Sequence, residues 1–288
     1  MIVVTGATGN LGRLVVQDLL TKVPASQIAA AVRTPAKAND LAAKGVQVRT
    51  MDYAQPESLA SALHGATRLL LVSGNELGKR EAQHKAVIDS AKAAGVQFVA
   101  YTSILHCDTS RMLLAKEHNA TEHYLRGSGL KYSMLRNGWY FENQTAALAP
   151  AIEHGVLVGC SGNGKFAAAA RADFALAAAN VLASSEHDNT VYELAGDTAY
   201  TRADLAAEVS KQTGKNVVYK NLPEAEYEKI LNNFLPPDLA HVIADSDTQA
   251  ASGELDDTSR TLSKLIGRPT TSLAEAVASA LKNPPTGH

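Results

Sequence analysis

The stretch Thr5-Gly6-Ala7-Thr8-Gly9-Asn10-Leu11-Gly12, close to the start of the chain, decides the fold. It follows the apolar run Ile2-Val3-Val4, which predicts a buried strand, and it precedes a segment whose apolar residues recur at helical spacing. Glycines three residues apart between a strand and a helix are typical of a loop that binds the phosphates of a dinucleotide. The alternative interpretation is a structural turn that is merely rich in glycine.

We predict a separate physical role for each glycine of this loop. We expect Gly6 to permit a tight turn, Gly9 to let the backbone approach a pyrophosphate, and Gly12 to allow close packing of helix against strand. The helix that follows presents free N–H groups and the positive end of its dipole to an anion. The residues predicted to hold the cofactor here are Gly6, Ala7, Thr8, Gly9, Asn10, Leu11 and Gly12.

Strands and helices alternate along the first half of the chain. Short apolar runs predict strands over 2–4, 27–32, 46–49, 69–72, 98–101 and 132–135. Segments with helical spacing lie between these runs, so we expect parallel strands joined by right-handed crossovers. The predicted fold class is α/β, a Rossmann-type doubly wound parallel sheet with a smaller C-terminal substrate lobe.

The alternation weakens after Arg136. The later segments predict helices over 172–183, 202–213, 224–234 and 273–281, a strand over 191–194, and a frayed tail over 283–287. We interpret 1–288 as a single nucleotide-binding domain. Within it, 1–150 form mainly the cofactor-binding core and 151–288 mainly the substrate lobe, at the sheet edge where ligands of open α/β sheets bind.

Composition excludes several classes of protein. The formal net charge of −2 gives no reason to expect a nucleic-acid partner. No segment approaches about 18 consecutive apolar residues, so we expect no membrane span. The chain has two cysteines and no basic leader, which favours a cytoplasmic protein without a disulfide framework. We predict no metal site, and we interpret the acidic pairs Asp245/Asp247 and Asp256/Asp257 as solvated loops.

The residue after the second predicted strand indicates which dinucleotide binds. An acidic residue there holds the ribose 2′-hydroxyl of NAD, whereas an arginine can pair with the 2′-phosphate of NADP. Arg33 occupies this position, and no Asp or Glu lies between Asp18 and Asp40. We therefore predict NADPH as the cofactor. The alternative is that Arg33 is an ordinary surface arginine.

Several further motifs resemble one family. The glycine loop, Ala31-Val32-Arg33, Tyr101-Thr102-Ser103 and the run 135–140 (Leu-Arg-Asn-Gly-Trp-Tyr) resemble the NmrA-like group of atypical short-chain dehydrogenases. The likeness is greatest to the quinone-reducing members of that group, with dye-reducing members related. It extends over essentially the whole chain, including 192–197 and 262–267.

The resemblance implies two more cofactor segments. Ser73-Gly74-Asn75 resembles a segment that passes near the ribose and phosphates. The other resembles the wall around the nicotinamide and consists of Asn137, Gly138, Trp139, Tyr140, Phe141 and Glu142. We expect Asn137, Trp139 and Tyr140 to shape the substrate pocket, with Trp139 as a stacking surface for a flat substrate. Ordinary core filling is the alternative for Trp139 and Tyr140.

One departure from the wider dehydrogenase pattern bears on mechanism. The Tyr-x-x-x-Lys pair that protonates a carbonyl oxygen is missing. If Glu122 is aligned with the glutamate of the extended pattern, His118 stands at the lysine position and Leu114 at the tyrosine position. His118 is either a catalytic hydrogen-bond donor or a structural residue. We interpret Cys107 as a buried small residue rather than a nucleophile.

These observations predict an NADPH-dependent quinone oxidoreductase. We expect direct hydride transfer from the nicotinamide to a quinone without a Tyr/Lys acid pair, because a quinone gains aromaticity on reduction and water can protonate its oxygens. Two alternatives stay open. One is an NADP-sensing regulatory protein without turnover, and the other is a reductase of another conjugated acceptor such as a triphenylmethane dye.

Overall fold

The computed structural model describes residues 1–283, so all but the first residue of the predicted tail lies outside the described residues. Its strands are β1 (Ile2–Thr5), β2 (Ile28–Val32), β3 (Gln47–Thr50), β4 (Arg68–Leu71), β5 (Phe98–Ile104), β6 (Lys131–Asn137), β7 (Val156–Gly159), β8 (Lys165–Phe166), β9 (Thr190–Leu194), β10 (Tyr200–Thr201) and β11 (Val218–Asn221). Its helices are α1 (Asn10–Leu19), α2 (Asn39–Ala42), α3 (Pro56–Ala62), α4 (Arg80–Ala93), α5 (Ala115–Gly127), α6 (Phe141–Thr145), α7 (Leu148–His154), α8 (Arg171–Ala183), α9 (Arg202–Thr213), α10 (Glu224–Leu231), α11 (Pro237–Ala250), α12 (Thr261–Ile266) and α13 (Leu273–Lys282).

The chain forms two compact units. Unit 1 comprises 1–107, 117–137 and 171–192, and unit 2 comprises 108–116, 138–170 and the residues from Glu193 onward. The units are therefore discontinuous in sequence, and helix α8 belongs to unit 1 although it follows residue 150. Its alanines explain its place there, since small side chains let α1 pack closely against it.

A doubly wound sheet forms the centre of unit 1. The strand order is β3-β2-β1-β4-β5-β6-β9, and β1 to β6 pair in parallel. β1 lies between β2 and β4, with Val3 opposite Ala29 on one side and Leu69 on the other. The strand order reverses at β1 and β4, and ligands of such sheets bind outside the carboxyl ends at this point. The predicted Rossmann-type fold class is confirmed.

Burial explains why the strands are evident in the sequence. All residues of β1, β2 and β5 are buried, because helices cover both faces of a parallel sheet. Continuous apolar runs such as Ile2-Val3-Val4 follow directly from that burial. Val15, Val16 and Leu19 of α1 are likewise fully buried, and each contributes about 1.5–3 kcal/mol of hydrophobic stabilisation.

Unit 2 contains smaller sheets and several helices. β7 pairs in parallel with β11, and β8 pairs antiparallel with β10. Capping boxes define two helix starts: Thr201 with Asp204 begins α9, and Ser272 with Glu275 begins α13. A capping box is a local sequence signal, which is why the predicted starts of these helices agree with the structure.

The prediction of a solvated loop at Asp245/Asp247 is wrong. Both residues are buried on α11, where Asp247 accepts a hydrogen bond of 2.7 Å from Nε of the buried Arg202 and one of 2.6 Å from the backbone N–H of Cys160. Burial raises the pKa of the Cys160 thiol to about 12. Asp247 therefore joins α11 to α9 through a buried ion pair and to the residue after β7 through a backbone hydrogen bond.

Among residues 1–283, no helix has the length and apolar character needed to cross a bilayer.

Candidate functional site

The glycine loop between β1 and α1 is a tight turn at the switch point. Gly6 has a left-handed backbone with φ +58°, and the Gly9 N–H donates to the Gly6 carbonyl at 2.8 Å. A Cβ at residue 12 would lie 2.4 Å from the Gly6 oxygen. A side chain does not fit at residue 12, because the start of α1 lies directly against the turn that follows β1.

The loop leaves the start of α1 open. Gly6, Gly9 and Asn10 are exposed, while Ala7, Leu11 and Gly12 are buried. No side chain among the described residues caps α1, and its first turn contains no acidic residue. The first N–H groups of the helix are therefore left for an anionic ligand, so the loop fits a dinucleotide pyrophosphate. The buried members of the loop can contribute only through their backbone.

The carboxyl ends of β1 and β4 are joined by side chains that sequence reasoning missed. Thr5 Oγ1 donates to the Leu70 carbonyl at 3.0 Å and accepts from the Val72 N–H at 2.9 Å. The hydroxyl of the half-buried Tyr53 donates to the Val72 carbonyl at 2.8 Å and lies against Thr5 Oγ1. These bonds fix the backbone on both sides of the switch point. No local signal identifies Tyr53, which comes from the loop after β3.

Arg33 lies directly after β2, with its side chain 62% exposed. Its Nη1 is 3.8 Å from a carboxylate oxygen of Glu76, whose other oxygen is 3.2 Å from Lys79 Nζ. Exposed pairs of this kind contribute little energy, so Arg33 stays available to a phosphate. Acidic residues are absent near Arg33 along the chain, but Glu76 reaches it from the loop after β4.

Arg33→Ala is expected to weaken NADPH binding roughly ten- to a hundredfold and NADH binding much less. Only NADPH carries the 2′-phosphate, and a charge-assisted hydrogen bond contributes about 1.5–3 kcal/mol. Calorimetric titration of both cofactors measures the effect. Lys44→Ala is the matched control, since it removes one exposed positive charge elsewhere. Equal losses for the two cofactors would show that Arg33 does not contact the 2′-phosphate.

The segment 73–75 follows β4 at the same edge of the sheet. The Ser73 N–H donates to Thr102 Oγ1 of β5 at 2.8 Å, which ties the segment to the neighbouring strand. Ser73 and Gly74 are half-buried and Asn75 is exposed. This placement suits the predicted approach of the segment to a cofactor, although its contacts with NADPH stay a prediction.

His118 lies on α5, inside the core of unit 1. It is 4% exposed, its Nδ1 is 2.7 Å from the Tyr101 hydroxyl, and its Nε2 is 3.5 Å from Arg80 Nη1. Arginine only donates, so Nε2 accepts and Nδ1 carries the proton. Burial, with Arg80 and His84 nearby, holds the pKa of His118 well below its usual value. His118 is therefore neutral near pH 7 and poorly suited to be the catalytic acid.

The position of Tyr101 leads to the same conclusion. Its hydroxyl is the phenol in contact with His118, but the side chain is fully buried on β5 and burial raises its pKa. Leu114, at the position where other dehydrogenases have tyrosine, lies in the turn before α5. None of these side chains presents a proton donor at the surface of unit 1.

Acid is expected to destabilise the protein through the buried histidines. Burial and the adjacent Arg80 lower the pKa of His84 to about 3, while the groups facing its ring from other elements are His118, Tyr101 and Tyr53. The unfolded state binds a proton near pH 6.5, before the folded state does. The stabilisation from neutral His84 is thus complete above about pH 6.5 and is lost as pH falls towards 3.

Urea unfolding at pH 7, 6 and 5 measures this loss, which we expect to be on the order of 1 kcal/mol per pH unit below pH 6. His84→Gln should make the pH dependence of stability shallower, because glutamine does not titrate and the lowered pKa of His118 still contributes. His123→Gln, on the exposed face of α5, is the control and should leave the slope unchanged. A slope identical in wild type and His84→Gln would contradict the assignment.

Glu122 and Arg136 form a buried ion pair beneath the site. Arg136 Nε and Nη2 donate to the two carboxylate oxygens at 2.9 and 2.8 Å, and Ser103 donates to the same carboxylate at 2.6 Å. This pairing connects α5, β6 and β5, so Arg136, in the run 135–140, has a structural role.

Burial raises the pKa of the Cys107 thiol to about 12. This agrees with the interpretation of Cys107 as an unreactive buried residue.

The segment 138–142 belongs to unit 2 and is described there by itself. The Gly138 N–H donates to the Leu194 carbonyl at 2.7 Å, and the backbones of Trp139 and Phe141 bond to Ala169 at 3.1 and 3.0 Å. Trp139 and Tyr140 are half-buried, whereas the Phe141 ring is buried and stacks on Tyr200 with centroids 5.5 Å apart. The predicted contacts of Asn137, Gly138, Trp139, Tyr140, Phe141 and Glu142 with nicotinamide and substrate stay predictions.

Over residues 1–283, no three His, Cys, Asp or Glu side chains come together in an arrangement that would hold a metal ion.

The glycine turn, the open start of α1 and the switch point define a Rossmann-type protein that binds a dinucleotide. The chain belongs to the NmrA-like family, whose model matches residues 1–275. The family resemblance predicted from the motifs is thereby confirmed.

Similar proteins share nearly the full length of the chain. It is 55% identical over 279 residues to quinone oxidoreductase 2 of Escherichia coli, with 96% of this chain and 98% of that protein covered. The crystal structure of an Escherichia coli NADPH-dependent quinone oxidoreductase complexed with NADPH matches with a TM-score of 0.95 at 55% identity, covering 98% and 100% of the two chains. The triphenylmethane reductase of Citrobacter sp., complexed with NADP(H), matches with a TM-score of 0.93 at 40% identity, covering 97% and 100%.

Proposed function

We propose that this protein is an NADPH-dependent quinone oxidoreductase. The observation that carries the proposal is the 55% identity to a quinone oxidoreductase over nearly the whole of both chains. The glycine turn and Arg33 support the cofactor part of the proposal independently, because they fit a pyrophosphate and a 2′-phosphate.

The residues of unit 1 bind and orient the cofactor in this proposal. The N–H groups at the start of α1 hold the pyrophosphate, with Gly6 and Gly9 leaving the approach free of side chains. Arg33 pairs with the 2′-phosphate, and the segment 73–75 supports the ribose and phosphates. NADPH, when bound, supplies the hydride. We keep two predictions as part of the proposal: that 137–142 surround the nicotinamide, and that 151–288 form mainly the substrate lobe.

In this proposal the protein holds NADPH and the substrate in position and does not donate a proton to the substrate. His118 and Tyr101 are buried and bonded to each other, so neither presents an acid to a substrate. A quinone tolerates this lack because its reduction product is aromatic and its oxygens can take protons from water. Holding two reactants in register accounts for much of many enzymatic rate enhancements.

A direct assay tests the proposal. When purified protein is mixed with NADPH and 1,4-benzoquinone, the absorbance of NADPH should decrease at a rate proportional to the protein concentration. Calorimetry on the same preparation measures NADPH affinity. Binding without any turnover over a panel of quinones would instead favour the NADP-sensing alternative, and absence of binding would contradict both.

A second candidate substrate class follows from the structural match to triphenylmethane reductase at 40% identity. Cationic triphenylmethane dyes are conjugated acceptors that need hydride but no proton at the reacting carbon, so they too suit a site without an acid. Including such a dye in the panel compares the two classes under one set of conditions.

We also propose a cytoplasmic location. Cys107 and Cys160 are both buried free thiols, and free thiols are typical of proteins in a reducing compartment.

A further inference from the structure

Both backbone polar groups of Gly74 are bonded to buried side chains of one helix. The Gly74 N–H donates to His84 Nε2 at 2.9 Å, and the Gly74 carbonyl accepts from Arg80 Nε. Both side chains come from α4, where His84 is fully buried and Arg80 is 9% exposed. A loop residue at the carboxyl edge of the sheet is therefore held from beneath through both its N–H and its carbonyl.

The protonation state of His84 is set by its other partner. Because Nε2 accepts from Gly74, the ring proton sits on Nδ1, which is 3.0 Å from Thr121 Oγ1. Thr121 donates its own proton to the Glu117 carbonyl at 2.8 Å, so its oxygen is free to accept from His84. Thr121 on α5 thus keeps His84 in the tautomer that Gly74 needs.

Arg80 is oriented by two further contacts. Its backbone N–H donates to Glu117 Oε1 at 3.1 Å, and its Nη1 lies 3.5 Å from His118 Nε2. The Glu117 carboxylate also offsets part of the charge of the buried guanidinium. This arrangement gives His118 a structural role, since it steadies the arginine that holds Gly74.

The backbone at Gly74 lies directly on this cluster. A Cβ there would stand 3.2 Å from Gln83 Oε1 and 3.6 Å from His84 Nε2. The loop has little room to settle in another position while these side chains stay in place.

We propose that His84 and Arg80 are positioning residues for cofactor binding, acting through Gly74 to fix the segment 73–75 before the cofactor arrives. The inference rests on the proposed function, in which this segment supports the cofactor. A loop ordered during folding loses no further conformational entropy on binding, so affinity rises without any direct contact from His84 or Arg80. The ribose and phosphates beside this segment are common to NADPH and NADH, so the fixed segment should raise the affinity for both cofactors equally.

A pair of His84 variants tests the inference. His84→Leu fills the site but removes the acceptor, whereas His84→Gln retains a side-chain oxygen that can accept from the Gly74 N–H. We expect His84→Leu to weaken NADPH and NADH alike by about five- to thirtyfold, the effect of leaving one buried donor unpaired. His84→Gln should recover most of that affinity. The equal loss for both cofactors separates this effect from that of Arg33→Ala.

Two further measurements separate positioning from general stability. Hydrogen exchange of the Gly74 amide in cofactor-free protein should speed up in His84→Leu and not in His84→Gln. Arg68→Met is the stability control, because Arg68 donates to Val181 at 3.1 Å from the amino end of β4, the opposite edge of the sheet. It should lower the unfolding temperature and leave both dissociation constants unchanged.

The possible outcomes are distinct. If wild-type protein does not bind NADPH, the proposed function fails. If wild type binds but His84→Leu binds both cofactors within twofold of it, only the positioning inference fails, as it does if His84→Gln recovers none of the affinity. Should His84→Leu not fold, Arg80→Lys is measured instead. It keeps the charge near Glu117, loses the Nε–H bond to Gly74, and is expected to show the same equal loss.

Discussion

Gly9→Val is expected to weaken NADPH binding by at least about a hundredfold while the protein stays folded. Gly9 is exposed at the open start of α1, and a branched side chain there stands where the pyrophosphate must approach the N–H groups. Each lost charge-assisted hydrogen bond costs about 1.5–3 kcal/mol, so losing two suffices for a hundredfold change. A Cβ at residue 9 lies 3.1 Å from the Gly6 oxygen, a contact that a small shift of the turn relieves.

Gly127→Val is the matched control for this substitution. Gly127 ends α5 and is exposed, and a Cβ added there would meet no atom within 4 Å beyond its chain neighbours and its own helix backbone. Both variants should unfold near the wild-type temperature, and only Gly9→Val should lose affinity in calorimetry. Unchanged NADPH affinity in folded Gly9→Val would remove the glycine turn from the cofactor site.

A simple ketone is expected to be reduced at least about a hundred times more slowly than 1,4-benzoquinone. A ketone yields an alkoxide that needs a proton donor in the site, and general acid catalysis is typically worth about 10²–10⁴-fold. The side chains that replace the usual Tyr/Lys pair do not provide one, since Leu114 is apolar and His118 is buried and neutral. Stopped-flow oxidation of saturating NADPH by each substrate measures the ratio.

His118→Ala extends the same experiment. If His118 only steadies Arg80 and Tyr101, its removal should slow the chemical step by less than about tenfold. Cofactor affinity can still decrease, because Arg80 holds the segment 73–75 in place. Comparable rates for ketone and quinone would contradict the acid-free site. A thousandfold slower chemical step in His118→Ala at saturating NADPH would make His118 the catalytic acid after all.

Much of the fold can be predicted because its signals are local. The buried strands produce uninterrupted apolar runs, and the predicted strands of the main sheet agree with β1 to β6 and β9 to within a few residues. The starts of helices α9 and α13 are predicted accurately because their capping boxes lie within four consecutive residues. Helix α11 is not predicted, and its buried Asp247 reads as a loop residue, because the Arg202 that pairs with it is 45 positions away.

The sequence by itself determined the doubly wound sheet, the glycine turn, the likeness to the NmrA-like family and the placement of Arg33 after the second strand. All of these depend on spacing within a short stretch of chain. Only the tertiary structure decided that His118 is buried against Tyr101, that Glu76 stands beside Arg33, and that His84 and Arg80 hold Gly74. Those contacts join side chains from different elements, and parallel strands with crossover helices bring such residues together without leaving any periodic pattern in the sequence.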